Sequence, residues 1–313
     1  MKENRKKISM STPGSTTTMA IRSMDEGAIL EVLSQHGLIS PEQKQDVIRL
    51  NHETGMPPGQ ILVRKRILKE KQLYKFICKD LGMNPTKPYS TRSFTISGLT
   101  VSKFRTSGDF YGIFPMADGR IALTLSDVSG KGLEAGILAI LLGNLLREGI
   151  QMQNIVPNAI MKKINLASRT FFGVDQFATF VVMLLDLYSG TVEYCAAGSP
   201  PILVYRRKEG IVEEIDQRNI PVGIYEDFQF KGNALNLDKG DMLLAYTDGA
   251  FEARGIRGEM YGVPRLKNAM LKLRNKKLTR ILTGLKSDMR RYSFFRGLAD
   301  DTTYLAIERH KKR

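Results

Sequence analysis

The stretch that most constrains this chain is residues 120–132, which read RIALTLSDVSGKG. Its first half, 121–125, is apolar and rich in β-favouring residues, a pattern typical of a buried strand. Asp127 follows, then a turn of small residues, and then 133–147, which has the pattern of an apolar helix. The sequence therefore predicts a carboxylate held at a rigid strand end, a position that hard divalent cations favour. An aspartate that only caps the following helix is the alternative.

Composition places the chain among ordinary globular proteins. It has 313 residues, of which 42% are hydrophobic and 25% charged, enough for one large domain and one small one. The longest apolar runs, 136–142 and 177–185, are shorter than the roughly 20 residues that span a bilayer, and no signal peptide is recognisable. The two cysteines, Cys78 and Cys195, lie far apart and suggest no disulfide framework. We therefore expect a cytoplasmic protein without a transmembrane segment.

The formal net charge of +15 raises the question of an anionic partner. The cations are spread over the N-terminal tail, 64–71, 272–280 and the C-terminus. No aromatic-studded basic strand or zinc pattern accompanies them, so solvated basic faces are favoured over a nucleic-acid site.

The first 82 residues contain no catalytic signature. Residues 1–24 are rich in Ser, Thr and Lys and are predicted to be a disordered tail. Residues 25–82 are predicted to be helical and contain a weak internal repeat, in which 29–48 aligns with 58–77. A helix start with proline just inside it, at Ser40-Pro41-Glu42-Gln43, indicates that each repeat is a helix, a short turn and a second helix.

This repeat resembles the N-terminal domain of type II secretion and pilus ATPases, the MshE-N/GspE-N type. Some members of that family bind cyclic di-GMP through paired motifs of the form RLGxxLVxxGxI. The first copy here lacks the opening Arg-Leu-Gly, and Arg66 stands where the second copy would have glycine. These departures favour a helical docking or dimerisation module over a cyclic di-GMP site, and a homodimer is left open.

The remaining chain has the pattern of strands and helices after a linker. Residues 83–98 have linker composition, with two prolines. Residues 99–130 are predicted to form strand, turn, strand about Asp118-Gly119, which would bring Asp109 near Asp127. Further strands are predicted at 177–187, 191–196, 201–205, 241–246 and 302–308, and helices at 157–171 and 264–292.

Four acidic positions share one context, because each lies at a strand end or in the adjoining turn: Asp109, Asp127, Asp248 and the pair Asp300-Asp301. Carboxylates without histidine or cysteine partners suit Mg²⁺ or Mn²⁺ and not Zn²⁺. Two such ions can activate a water and clamp a phosphate. The three histidines lie outside the predicted strands, which argues against a Ser–His–Asp site. For Asp109, capping of the loop after Gly108 is the alternative.

Five segments together resemble one known family. They are SGDFYG (107–112), LSDVSGKG (125–132), the run 177–206, LAYTDGAFEARG (245–256) and ADDTTYLAIE (299–308). Their order and spacing are similar to those of the metal-dependent protein phosphatases of the 2C type (PPM), and to the bacterial SpoIIE/RsbU-like branch in particular. The resemblance implies an α+β fold for 99–313. In it an α-β-β-α sandwich, two antiparallel sheets flanked by helices, would follow the small all-α N-terminal domain.

The resemblance also implies a site. Asp127 would bridge two Mn²⁺ or Mg²⁺ ions, the Val128 carbonyl would bind one of them, and Asp248 and Asp300 would be further ligands. Asp109 would bind directly or through water, and Asp127 and Asp248 are the residues assigned to catalysis. Gly112 departs from the family, since many relatives have a second acid there. Glu252 matches a family position and is expected to form a structural hydrogen bond, and Lys131 would face the phosphate or solvent.

The implied activity is hydrolysis of phosphoserine or phosphothreonine in a protein, by metal-activated water and without a covalent intermediate. The implied substrate is a STAS-type anti-sigma-antagonist in a partner-switching pathway, with the N-terminal domain regulating or localising the enzyme. A catalytically inactive PPM-fold interaction module is one alternative. A nucleic-acid-associated metal hydrolase, suggested only by charge, is another.

Overall fold

The computed structural model contains two antiparallel sheets packed face to face, with helices outside them. It describes residues 27–311 except 57, 80, 104–106, 129–142, 144–146, 148–154, 172–176 and 295–299. One sheet has five strands in the order β3-β4-β5-β6-β9, and the other has six in the order β1-β2-β11-β10-β7-β8. This arrangement confirms the predicted α+β fold, the α-β-β-α sandwich.

Every pair of neighbouring strands is antiparallel, and four of the nine pairs are hairpins closed by a short turn. The five-stranded sheet consists of β3 (Asp109–Pro115), β4 (Arg120–Val128), β5 (Ala178–Asp186), β6 (Thr191–Ala197) and β9 (Asn233–Asn236). The six-stranded sheet consists of β1 (Tyr89–Ser90), β2 (Phe94–Val101), β7 (Ile202–Arg206), β8 (Ile211–Ile215), β10 (Met242–Tyr246) and β11 (Thr302–Arg309).

Alternation along the strands separates an inner core from two outer ones. On β4 the side chains of Leu123 and Leu125 lie between the sheets, whereas Ala122 belongs to the outer core of the five-stranded sheet. Because both faces of the central strands are covered, these strands are apolar almost throughout, which is why the sequence reveals them.

Helices form the two outer layers. Helix α5 (Pro157–Phe171) packs against the five-stranded sheet. Helices α6 (Gly262–Leu273) and α7 (Leu278–Tyr292) cover the six-stranded sheet. The apolar side chains that α6 and α7 bury include Leu266, Met270, Leu282, Leu285 and Met289.

Four helices precede the sandwich: α1 (Gly27–Gln35), α2 (Pro41–Thr54), α3 (Pro58–Arg64) and α4 (Glu70–Lys79). They form the two predicted helix–turn–helix repeats. The matched positions Leu33 and Leu62 are both fully buried. At the start of α2, Ser40 and Gln43 form a reciprocal capping box, as the sequence indicates.

The prediction that 83–98 is a linker is wrong for much of that segment. It contains β1 and the first part of β2, and β2 pairs along its length with β11 in the six-stranded sheet. Upstream of β1, Asn84 lies beside β3, where its N–H donates to the Tyr111 carbonyl at 2.7 Å. Composition did not reveal these strands because their stability comes from pairing with residues distant in sequence.

The predicted hairpin over 99–130 begins later than expected. Its first strand is β3, and the residues up to Val101 belong to β2 of the other sheet. The edge strands β8 and β9 were not predicted. The predicted tail 1–24, the turn that contains Lys131 and nearly all of the predicted helix 133–147 lie outside the described residues. Within the described ranges, no helix combines the length and apolarity needed to cross a membrane.

Candidate active site

The acidic residues converge at one end of the sandwich, starting from Asp109 and Asp127. These two residues face each other in register, at the start of β3 and near the end of β4. Asp109 lies two residues before Tyr111 on β3, so both are on the same face of the strand. Tyr111 belongs to the core between the sheets. Asp109 is only 2% exposed, and its carboxyl is close enough to Asp127 for the charge of Asp127 to raise its pKa. The predicted proximity of the two residues is therefore confirmed.

Thr247 links this pair to the other sheet. Its hydroxyl donates to Asp109 Oδ2 at 2.6 Å and accepts from the Thr303 N–H at 2.9 Å. Thr247 follows β10 and Thr303 lies in β11, so one hydroxyl ties an aspartate of the five-stranded sheet to two strands of the six-stranded sheet. Thr247 was not predicted from the sequence, although its place in the segment Thr247-Asp248-Gly249 was a usable signal.

Asp301 holds the backbone that leads into β3. Its Oδ2 accepts from the Ser107 hydroxyl at 2.8 Å and from the Gly108 N–H at 3.2 Å, and its Oδ1 accepts from the Lys103 N–H at 2.5 Å. Ser107 Oγ accepts in turn from the Asp109 N–H at 3.1 Å. Asp301 is therefore a buried positioning residue, whereas its neighbour Asp300 is exposed.

Asp248 opens a short 3₁₀ turn, Asp248–Ala250, directly after β10. A Cβ placed on Gly249 would lie 1.9 Å from the Asp301 carbonyl oxygen, closer than any side chain permits. Glycine at this position thus allows the turn that carries Asp248 to approach the backbone next to Asp300. Two sequence-predicted acids from different strands are brought together in this way.

Burial and one another's charges raise the pKa values of three of these carboxyls. Burial, and then the charges of Asp248 and Asp300, raise the pKa of Asp127 to about 7. Burial and the Asp127 charge raise the pKa of Asp109 well above its ordinary value. Burial and then the charges of Glu252 and Asp300 raise the pKa of Asp248. The charges that act on these three groups all come from carboxylates.

The donor set suits a hard cation. It consists of carboxylate and backbone oxygens, which Mg²⁺ and Mn²⁺ prefer, and the mutual repulsion of the acids is what a bound cation relieves. Within the described ranges, however, no three Asp, Glu, His or Cys side chains are gathered tightly enough to hold an ion as they stand.

Gly112 and Glu252 are two further positions that the family resemblance singles out. Gly112 is three residues along β3 from Asp109, about 10 Å at the rise of a strand, and lies opposite Thr124. Its Cβ would point to Phe114 of the outer core, so the missing acid lies on the other face of the sheet from the aspartates. The Glu252 side chain is exposed and acts on Asp248 through its charge.

Comparison with known families gives a match to most of the sandwich. The model of the family described as Stage II sporulation protein E (SpoIIE) matches residues 117–310, which is more than half of the chain. Asp109 lies just before this match. Among curated relatives, the phosphoserine phosphatase RsbP of Bacillus subtilis is 25% identical over 171 residues, covering 53% of this chain and 42% of RsbP. The chain spans about half, or less, of the length of the curated relatives it matches.

Solved structures agree with the fold. The PP2C phosphatase domain of SpoIIE from Bacillus subtilis, with a fragment of its regulatory domain, has a TM-score of 0.59 at 23% identity, covering 72% of this chain and 66% of that one. RsbX in complex with magnesium has a TM-score of 0.54 at 15% identity, covering 71% of this chain and 98% of that one. These likenesses show that the sandwich is the PP2C fold.

Proposed function

The chain belongs to the SpoIIE family, and we propose that it is a metal-dependent phosphatase of phosphoserine or phosphothreonine in a protein. The observation that carries this proposal is the convergence of Asp109, Asp127, Asp248 and Asp300 at one end of the sandwich. Acids that raise one another's pKa are costly to the fold without a counter-charge and point to a functional site. The name of RsbP, a phosphoserine phosphatase, supports the reaction class.

We assign Asp127, Asp248, Asp300 and the Val128 carbonyl as the groups that would hold two cations, with Asp127 serving both, and Asp109 would bind directly or through water. The ions are Mn²⁺ or Mg²⁺, in keeping with the magnesium complex of RsbX. Two such ions, when bound, supply a nucleophilic water at neutral pH and neutralise the phosphoryl oxygens during in-line displacement.

The chain's own residues prepare this site in two ways. Thr247 and Asp301 fix Asp109 and its approach segment, so that the first carboxylate is preorganised before a substrate arrives. Burial and the charges of neighbouring carboxylates raise the pKa values of Asp109 and Asp127, which favours the protonated carboxyls in the absence of a cation. A protonated carboxyl must lose its proton before it can act as a ligand, so loading is coupled to pH.

The proposed substrate is a phosphorylated partner-switching protein of the STAS type, and the N-terminal helices are proposed to regulate or localise the catalytic domain. Of the two alternatives, an inactive interaction module was suggested only by Gly112. That residue faces away from the aspartates, so it gives the alternative no support.

Hydrolysis of an aryl phosphate tests the proposal. We expect turnover in Mn²⁺, loss in EDTA, recovery on adding Mn²⁺ or Mg²⁺, and a loss of more than about 100-fold in kcat for Asp127→Asn. Asp186→Asn is the matched control, since Asp186 ends β5 and accepts from the Tyr188 and Ser189 N–H groups of a turn. Activity that survives exhaustive chelation, or Asp127→Asn with the control's turnover, would refute the assignment.

A further inference from the structure

The positive charge of this protein is concentrated on one helical hairpin. Residues 262–292, which form α6 and α7, hold ten Lys or Arg residues and a single acid, Asp288. They therefore account for +9 of the formal net charge of +15. Part of this cluster, 272–280, stands in the sequence as one of several dispersed basic stretches. In the fold, both helices lie side by side on the outside of the six-stranded sheet.

A groove of about 610 Å³ runs between the two helices on their outward face. Its floor contains Ala269, Leu273 and Gly284, and Leu273 packs so closely on Gly284 that a Cβ there would lie 2.7 Å from it. Its rim carries four cations, Lys272, Lys286, Arg290 and Arg291. The groove thus combines an apolar floor with a basic rim.

Most of the rim charge has no internal counter-charge. Asp288 accepts from the Tyr261 hydroxyl at 2.6 Å and pairs with Arg291 at 3.2 Å. In the described part of the chain, no salt bridge involves the other three rim cations. Like charges on neighbouring helical turns repel each other, so an acidic ligand in the groove would relieve a cost that the fold carries.

From these observations we propose that the α6–α7 groove docks an acidic, partly apolar segment of the phosphoprotein substrate. This proposal rests on the proposed phosphatase function. Helix α7, which forms one side of the groove, packs on β2 and β11, and Asp300 and Asp301 directly precede β11. A segment flanking the phosphorylated residue could therefore occupy the groove while the phosphoryl group reaches the aspartates.

The shape of the groove favours a peptide over other anionic surfaces. The large apolar side chains that are exposed in the described residues all lie outside α6 and α7, so this face has nothing to insert into a bilayer. It also lacks an exposed aromatic ring on which bases could stack, because Tyr292 packs against Tyr261 and beneath Arg265. A concave apolar floor between cations suits side chains of Leu and Glu in one segment.

The test uses the full chain with three substrates: an aryl phosphate, a phosphoserine peptide flanked by Glu and Leu, and the same peptide with Gln for Glu. The groove variant is Lys272→Glu with Lys286→Glu and Arg290→Glu. The matched control changes the charge equally on exposed cations elsewhere, with Lys65→Glu, Arg218→Glu and Lys231→Glu. A circular dichroism spectrum like that of the wild type establishes that each variant is folded.

We expect the groove variant to lose about tenfold in kcat/KM on the acidic peptide, mainly through KM, and to keep its rate on the aryl phosphate. The control variant should keep most of the wild-type kcat/KM on both, and the wild type should prefer the acidic peptide, less so at high salt. A groove variant that matches the control on the acidic peptide would overturn the proposal.

Binding separates this proposal from the phosphatase assignment. Anisotropy of a labelled, unphosphorylated acidic peptide needs no turnover, so it reports on the groove even if no phosphate is hydrolysed. Loss of affinity in the groove variant alone supports docking. If the groove variant instead loses only its binding to phosphatidylserine vesicles and binds the peptide like wild type, the face is a lipid-binding surface and the proposal is wrong.

Discussion

The environment of Asp127 predicts how the stability of the protein depends on pH. Its pKa is raised to about 7 in the cation-free protein, whereas an unfolded chain restores a value near 4. The folded state therefore binds more protons than the unfolded state between about pH 4 and pH 7. We expect the free energy of unfolding in EDTA to fall as the pH rises through this window, by up to about 1.4 kcal/mol per pH unit.

Urea unfolding at several pH values in EDTA measures this effect, and Asp127→Asn is the comparison. The variant removes both the titrating group and the charge that raises the pKa of Asp109, so its stability should depend less on pH over the same window. With saturating Mn²⁺ the wild type should instead gain stability as the pH rises, since a carboxyl must lose its proton to bind the ion. Equal pH dependence in the two proteins would contradict the assigned environment.

Substitution of Gly249 tests how closely the turn that carries Asp248 approaches the backbone of Asp301. A Cβ at this position would lie 1.9 Å from the backbone oxygen of Asp301, which cannot move aside as a side chain can. Gly249→Ala should therefore destabilise the protein by about 1–3 kcal/mol and weaken Mn²⁺ binding. Gly232→Ala is the control, because its nearest new contact would be an ordinary 3.4 Å. Calorimetric melting and Mn²⁺ titration would measure both effects, and wild-type values for Gly249→Ala would show that the turns are not in contact.

For single residues, the sequence predicted where some acids lie better than it predicted what each of them does. The Asp118-Gly119 turn was enough to predict that Asp109 and Asp127 are close, because hairpin register follows from turn position. The adjacent Asp300 and Asp301 could not be told apart, since which one is buried depends on the loop before β3. Thr247 was missed because its partners come from both sheets.

Among the elements, the N-terminal repeats carry a strained position. Gly37 has φ +65° after α1, and Arg66, at the equivalent place after α3, has φ +54°. A side chain in this left-handed region costs about 1 kcal/mol or more, which glycine avoids at some entropic cost in the unfolded chain. Arg66→Gly should thus raise the free energy of unfolding by about 0.5–1 kcal/mol in urea titrations. Arg64→Gly, at the end of α3, should lower it.

Strand prediction succeeded where pairing was reinforced by burial on both faces. Strands β5 and β10 are almost wholly buried and read as apolar runs. Strand β9 is largely exposed at a sheet edge, and β8 is the other sheet's edge, so neither has such a run. Their place in the fold depends on partners such as β6 and β7, which a local pattern does not contain.

At the scale of the whole molecule, the N-terminal helices and the sandwich share one core. Leu33 and Leu62 belong to the same buried cluster as Leu81, Met83 and Val128, the residue next to Asp127. A Cβ on Gly143, within the predicted helix 133–147, would lie 2.8 Å from Met83 and 3.5 Å from Leu81. The segment 81–83 therefore lies close to Gly143, which follows Asp127 and Val128 in the sequence, and this approach is the proposed route of regulation.

Two truncated chains separate regulation from support of the fold. A chain beginning at Leu81 keeps Met83 against Gly112 and the Asn84 side chain on the Tyr111 N–H at 2.8 Å. It should fold and hydrolyse an aryl phosphate, with an Mn²⁺ affinity or a rate on the phosphoprotein that differs from those of the full chain.

A chain beginning at Phe94 also lacks β1 and the cover of β3, so it should melt at a lower temperature than the chain beginning at Leu81. Calorimetry, Mn²⁺ titration and turnover on both substrates make the comparison. If the full chain and the chain beginning at Leu81 share one Mn²⁺ affinity and one rate on each substrate, the N-terminal helices do not act through the site. Their remaining role would then be localisation, because the core that they share with the sandwich would not affect Asp127.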